Sequence, residues 1–139
     1  MARAYFYFLA TYSHNYERLC NIQGLNLPAS RFIFLADNSE VIQPVVAQFK
    51  LTGAIPLWNM YSRLFGRIKS KFKHCLPQIS SQLASLVEGP GKDYLDFNPE
   101  NWMFVKSEGR IYYVDLEPTF VIGRDANDHN LYGLNRFFI

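Results

Sequence analysis

The order of residues from Leu95 to Pro118, LDFNPENWMFVKSEGRIYYVDLEP, restricts what this chain can fold into more than any other stretch. Asp96 opens a polar segment running through Asn98, Pro99 and Glu100 to Asn101. The Asn98-Pro99 step disfavours helix at Asn98 and fixes φ at Pro99, so a rigid, exposed loop is expected. Trp102-Met103-Phe104-Val105 is then continuously apolar, and Arg110-Ile111-Tyr112-Tyr113-Val114 is rich in β-branched and aromatic residues. Between them Ser107-Glu108-Gly109 carries turn chemistry, which predicts a β-hairpin pairing 102–106 with 110–115. Closing that hairpin brings Asn101, before the first strand, close to Asp115 and Glu117, after the second, with Asp96 on the loop beside them. Hard oxygen donors converging in this way suit Mg²⁺, or Mn²⁺ in its place, which takes a few carboxylate or amide ligands and completes its shell with water and phosphate.

The segment resembles the kinase-like superfamily of protein kinases and of aminoglycoside and choline phosphotransferases, in which an H-x-D-x-x-x-x-N loop leads through a hairpin to a metal-binding aspartate. The resemblance implies that Asp96 is the catalytic base for the substrate hydroxyl, that Asn101 and Asp115 hold the metal, and that Glu117 joins them. Asp115-Leu116-Glu117 is similar to the D-hydrophobic-E triplet of the small-molecule kinases more than to the D-F-G of protein kinases. Asp93 and Asn98 share the same spacing, but Asn98 runs into Pro99-Glu100, whereas Asn101 leads straight into the strand. Tyr94 stands where the family has its histidine.

With 139 residues, 49% of them hydrophobic and 17% aromatic, the chain suffices for one packed domain. The expected fold class is α+β: a kinase-like C-lobe core with a partial N-lobe, residues 1–53 forming the small-lobe part and 54–139 the large-lobe part of a single domain. A complete two-lobed enzyme carries more. No G-x-G-x-x-G loop and no lysine strand of the V-A-I-K kind is present. The expectation is therefore a minimal or decayed member, or a piece of a longer protein whose small-lobe strands lie outside this sequence.

The rest of the chain threads onto the same order. Phe8, Tyr12, Tyr16, Leu19 and Cys20 have helical spacing before Gly24; the resemblance implies the helix that carries a glutamate in the family, and Glu17 is its only acid. Arg31–Ala36 and Val41–Phe49 flank the turn Asp37-Asn38-Ser39-Glu40 as a second hairpin, with Pro44 arguing against a central strand. The resemblance places a hinge at Gln48 to Gly53, where backbone groups of Gln48, Phe49 and Lys50 would meet the adenine of ATP. Leu57, Tyr61, Leu64, Phe65, Ile68 and Phe72 predict one helix over 56–72. A second helix starts at Pro77, carries Ile79, Leu83, Leu86 and Val87, and stops at Gly89-Pro90-Gly91.

Residues 1–75 carry nine Lys/Arg against three Asp/Glu, whereas residues 76–139 carry five against nine, so a formal +6 faces a formal −4. Arg63, Arg67, Lys69, Lys71 and Lys73 are read as the solvated face of the 56–72 helix, and nucleic acid is not an expected partner. Cys20 and Cys75 lack C-x-x-C spacing and are read as two buried free thiols, which with the absence of a signal-like segment makes the expected address cytoplasmic. The apolar run Ala4–Ala10 is too short to span a membrane. The expected ligands are a nucleotide and an unidentified hydroxyl-bearing substrate, with a protein partner in place of turnover if the domain is a pseudokinase. Two alternatives stay open: a metal-dependent nuclease using Asp96, Asp115 and Glu117, and a non-catalytic interaction module in which the acids only cap turns.

Overall fold

The computed structural model describes residues 2–36, 38, 42–62 and 67–116, and side chains from residue 10 onward. Helix α1 spans Ala2–Cys20. No glycine or proline interrupts it, and Tyr12, Asn15, Tyr16 and Leu19 line one stripe at the three- and four-residue spacing of a helix face. Leu19 is fully buried, whereas Cys20 is exposed, so only Cys75 of the two expected buried thiols lies inside. The helix ends in 3-10-type bonds, Asn21 N–H to the Arg18 carbonyl and Ile22 N–H to that of Leu19, before Gly24 turns the chain at φ 81°.

Strands β1 (Ser30–Ala36) and β2 (Ile42–Gln48) form the expected antiparallel hairpin, with Phe32 opposite Val46 and Phe34 opposite Pro44. Among the described residues they make a two-stranded sheet, in which neither strand is central and a proline is tolerated. The Tyr16 ring lies 5.7 Å from that of Phe32 and holds the sheet against α1.

A second sheet, β3 (Ala54–Pro56), β4 (Trp102–Val105) and β5 (Arg110–Tyr113), is antiparallel in the order β3-β4-β5. The expected β4–β5 hairpin forms, with Trp102 opposite Tyr113 and Val105 opposite Arg110, so that Lys106 joins Ser107-Glu108-Gly109 in the connection. Its turn closes through Glu108 N–H to the Val105 carbonyl and Gly109 N–H to that of Lys106, with Gly109 at φ 65°. Strand β3, which pairs Ile55 with Phe104, was hidden in the sequence because three residues are too few to show a period.

The helix expected over 56–72 does not form. Helix α2 covers only Leu57–Met60, after which Tyr61 pairs with Ile68, Ser62 N–H donates to the Arg67 carbonyl, and Lys69 N–H donates to that of Met60. A 3-10 turn, Ser70–Cys75, then leads into α3. Leu57, Met60 and Tyr61 are buried by one helical turn, and the paired backbone supplies Ile68 to the same side, so the apolar spacing is met without a continuous helix. Ser62, Gly66 and Ser70 recur through this stretch and are poor interior helix residues. Arg67, Lys69, Lys71 and Lys73 are exposed on this irregular segment, not along a helix face, and Arg63, Leu64 and Phe65 lie outside the described residues.

Helix α3 spans Leu76–Glu88 with Pro77 in its first turn, and its Ile79, Leu83 and Leu86 are buried as expected. They pack with Leu19, Leu57, Met60, Phe104 and Ile111 in one hydrophobic core. Gly91 passes so close to the end of α1 that a Cβ there would sit 2.7 Å from the Ile22 side chain, which would have to shift to admit any larger residue. The described residues thus form an α+β fold.

Candidate functional site

The loop after α3 alternates strictly. Leu95, Phe97 and Pro99 are buried, Asp96 and Asn98 are half-buried, and Glu100 is exposed. The expectation of a wholly exposed loop is therefore corrected: period-2 alternation in extended backbone sends every second residue into the core. The Phe97 and Trp102 rings are stacked with centroids 5.7 Å apart, and Trp102 meets Tyr113 at 4.9 Å, which anchors the loop on the hairpin.

Polar groups finish the anchoring. The Trp102 indole N–H donates to the Asp96 carbonyl at 3.1 Å, and the Asp96 N–H donates to the Tyr113 hydroxyl at 3.1 Å. Asp96 Oδ1 accepts from the Asn98 N–H at 3.0 Å, and Asn98 Oδ1 accepts from the Glu100 N–H at 3.3 Å, two successive side-chain-to-backbone turns that rigidify the segment. A short 3-10 turn, Pro99–Asn101, delivers the chain into β4.

Asn101 and the residues after β5 meet at the root of the hairpin. The Val114 N–H donates to the Asn101 carbonyl at 2.9 Å, extending the ladder one step past Tyr113. Asp115 is half-buried and follows directly. The structure thus joins the backbones of Asp96, Asn101 and the Val114-Asp115 segment in one hydrogen-bonded knot around Trp102 and Tyr113. Glu117 lies outside the described residues. Among the described residues no group of three or more His, Cys, Asp or Glu side chains is placed to hold a metal, and the Asp96, Asn101, Asp115 set contributes two acids and an amide.

The three residues expected at a nucleotide hinge are already engaged or exposed. Gln48 turns its side chain to the site, its Nε2 donating to the Val114 carbonyl at 3.0 Å. The Phe49 N–H donates to the Ala29 carbonyl at 2.7 Å, while its ring is 77% exposed, and Lys50 is exposed.

Several supporting residues escaped the sequence reading. Asn15, 5% exposed on the apolar stripe of α1, donates from Nδ2 to the Leu116 carbonyl at 3.1 Å. Its signal was a polar residue within the Tyr12, Tyr16, Leu19 stripe. The outer edge of β5 is sealed by two amide side chains and one backbone carbonyl. Gln82 of α3 donates to the Gly109 carbonyl at 2.8 Å and accepts from the Ile111 N–H at 3.0 Å. Asn26 donates from Nδ2 to the Ile111 carbonyl at 3.0 Å, and its own carbonyl accepts from the Tyr113 N–H at 2.9 Å. Nothing in the sequence around Asn26 or Gln82 distinguishes them from solvated amides. Arg18 of α1 lies 4.7 Å over the Tyr94 ring, at the position where the family resemblance expects a histidine.

No helix among the described residues is long and apolar enough to cross a membrane. No family model matches this sequence, no curated protein matches it, and no solved structure matches the chain.

Proposed function

We propose that this chain is a kinase-like domain that binds Mg²⁺ together with a nucleotide at the root of the β4–β5 hairpin. The observation that carries the reading is the hydrogen bond from the Val114 N–H to the Asn101 carbonyl, because it pairs the backbone of the asparagine before β4 with the residue preceding Asp115, while Trp102 and Tyr113 tie the Asp96 backbone to the same root. Support comes from the order of α1, the β1–β2 hairpin, helical turns, α3, the Asp96 loop and the β4–β5 hairpin, which is the order the resemblance expects, with β3 as an added strand between β2 and α2.

Asn101 and Asp115 offer hard oxygen ligands, and Glu117 adds another from the sequence. So few protein donors suit a cation that keeps water and phosphate oxygens in its shell. The metal, when bound, would neutralise phosphate charge. Asp96, held by its Asn98 and Trp102 partners, would orient the acceptor hydroxyl and receive its proton as the oxygen attacks phosphorus and the nucleoside diphosphate leaves. Because the protein supplies so few ligands, Mn²⁺ or Mg²⁺ would bind weakly alone and better with ATP, whose phosphate oxygens complete the shell; because the sequence has no phosphate-gripping lysine strand, turnover is the smaller part of the assignment.

Calorimetric titration with Mn²⁺, with and without ATP, tests this. The Asp115→Ala and Asn101→Ala proteins should lose nucleotide-linked metal binding. Asp96→Asn should keep it within about tenfold, roughly 1.4 kcal/mol, while losing any phosphoryl transfer, since a general base acts more on the transition state than on ground-state binding. Loss of metal binding in Asp96→Asn, with cleavage of DNA or RNA by the parent protein, would replace this reading with the nuclease. A parent protein without Mn²⁺ binding and without either activity would leave the interaction module.

A further inference from the structure

We infer that Asn15 and Gln48 are positioning residues for Asp115, an inference that rests on the metal-site reading above. Three bonds from three separate parts of the chain grip the backbone on both sides of that aspartate. The Val114 N–H is held by the Asn101 carbonyl at 2.9 Å, the Val114 carbonyl by Gln48 Nε2 at 3.0 Å, and the Leu116 carbonyl by Asn15 Nδ2 at 3.1 Å. The Leu116 side chain is buried, which fixes the far end by packing as well. Asp115 therefore sits between two peptide units whose directions are set by side chains from α1 and from the end of β2.

The chemistry at Asn15 is specific. A carbonyl can only accept, so the nitrogen of the amide must face Leu116. An amide placed at 5% exposure costs free energy unless it is paired, and an apolar residue would continue the Tyr12, Tyr16, Leu19 stripe without that cost. What the asparagine adds over leucine is a fixed direction for one carbonyl next to the metal-binding aspartate. Helix α1 also meets the segment that leads to Asp96, through Arg18 lying 4.7 Å over the Tyr94 ring. Glu17, the acid that the resemblance would call on, is exposed and lies off that stripe. Helix α1 thus supports the site through an amide and a cation-π contact, with no carboxylate involved. At Gln48 the end of β2 does the corresponding work from the opposite flank, so the region expected to meet adenine instead holds the segment that carries the metal ligand.

The experiment measures Mn²⁺ affinity without nucleotide, Mn²⁺ affinity with ATP, and the urea midpoint, for the parent, Asp115→Ala, Gln48→Met and Asn15→Leu proteins. Both Gln48→Met and Asn15→Leu keep side-chain volume and remove the donor. The expected result is Mn²⁺ affinity about tenfold weaker in both, already without nucleotide, with the midpoint of Gln48→Met unchanged because that side chain is exposed. A purely structural role would move the midpoint and leave the Mn²⁺ affinity of the folded protein alone. If the parent binds Mn²⁺, Asp115→Ala loses it, and Gln48→Met keeps the parent's affinity within twofold, the positioning inference fails and the metal site stands. A Gln48→Met protein weakened only in the presence of ATP also overturns it, since Gln48 would then be touching nucleotide. A parent that binds no Mn²⁺, or an Asp115→Ala protein that binds as well as the parent, overturns both readings together. Should Asn15→Leu fail to fold, the Gln48→Met arm decides alone.

Discussion

The two antiparallel hairpins, β1–β2 and β4–β5, are both built from short runs of aromatic and β-branched residues joined by polar turns, yet they occupy different surroundings. In β4–β5, Trp102, Phe104, Ile111 and Tyr113 are all buried. In β1–β2, Ile33, Phe34, Leu35 and Ile42 are exposed, Leu35 and Ile42 at 52%. The difference comes from neighbours. Strand β3 covers one edge of β4, Asn26 and Gln82 seal the outer edge of β5, and α3 packs across the sheet. The first hairpin has α1 against it and, among the described residues, no further strand on either edge. A hairpin sequence therefore specifies pairing, and its burial is decided by what else the chain delivers to it. The candidate site lies on the hairpin that receives the most support, where a rigid backbone can hold ligands in place.

The contrast can be broken most severely at the core of the second hairpin. Trp102→Ala removes a fully buried ring that stacks on Phe97 and packs at a tilt against Tyr113, and also the indole donor to Asp96, and should cost about 3–5 kcal/mol in urea unfolding. A loss under about 1 kcal/mol would mean that the two hairpins are equally peripheral. Next in size is the edge seal. Gln82→Leu strands the Gly109 carbonyl and the Ile111 N–H, so stability should fall by about 1–3 kcal/mol, with amide exchange accelerating at Ile111 ahead of Phe34.

A smaller effect is confined to alkaline solution. Burial pushes Tyr61, beside the second sheet, up to about 12 from the ordinary 10.0. The unfolded chain then loses this proton near pH 10 while the folded one keeps it, so stability should decline between about pH 10 and 12 and level off above. Tyr61→Phe should flatten that decline; an unchanged pH profile would remove Tyr61 as its source. The smallest change is expected at Leu35→Thr on the open hairpin, within about 0.5 kcal/mol of the parent. A cost several times larger would show that this hairpin is covered in solution, and would erase the contrast.

Much of the architecture was legible because local chemistry is strong where the elements are long. The proline-started, glycine-stopped helix α3 and the Ser107-Glu108-Gly109 turn both announce themselves through residues whose backbone preferences are steep. The 56–72 segment was misread for the opposite reason. Its helical spacing is real, but Leu57, Tyr61 and Ile68 reach the core through one turn of helix and a paired loop, and periodicity does not distinguish the two. At the candidate site, the sequence offered Asp96, Asn101 and Asp115 as an ordered set, together with the hairpin at whose root the backbones of Asn101 and Val114 pair. It could not supply their supports.

What the sequence determined by itself was helix α1, helix α3 and the two hairpins β1–β2 and β4–β5, since each follows from neighbours within a few positions. What only the tertiary structure decided was the burial of that hairpin, the third strand beside it, and the roles of Asn15, Asn26, Gln48 and Gln82. Those amides act on carbonyls and N–H groups far along the chain, 101 residues away in the case of Asn15 and Leu116. An amide side chain has no local signature that tells a solvated group from one satisfying a buried backbone, because the partner that gives it a role is chosen by the packing of the whole core.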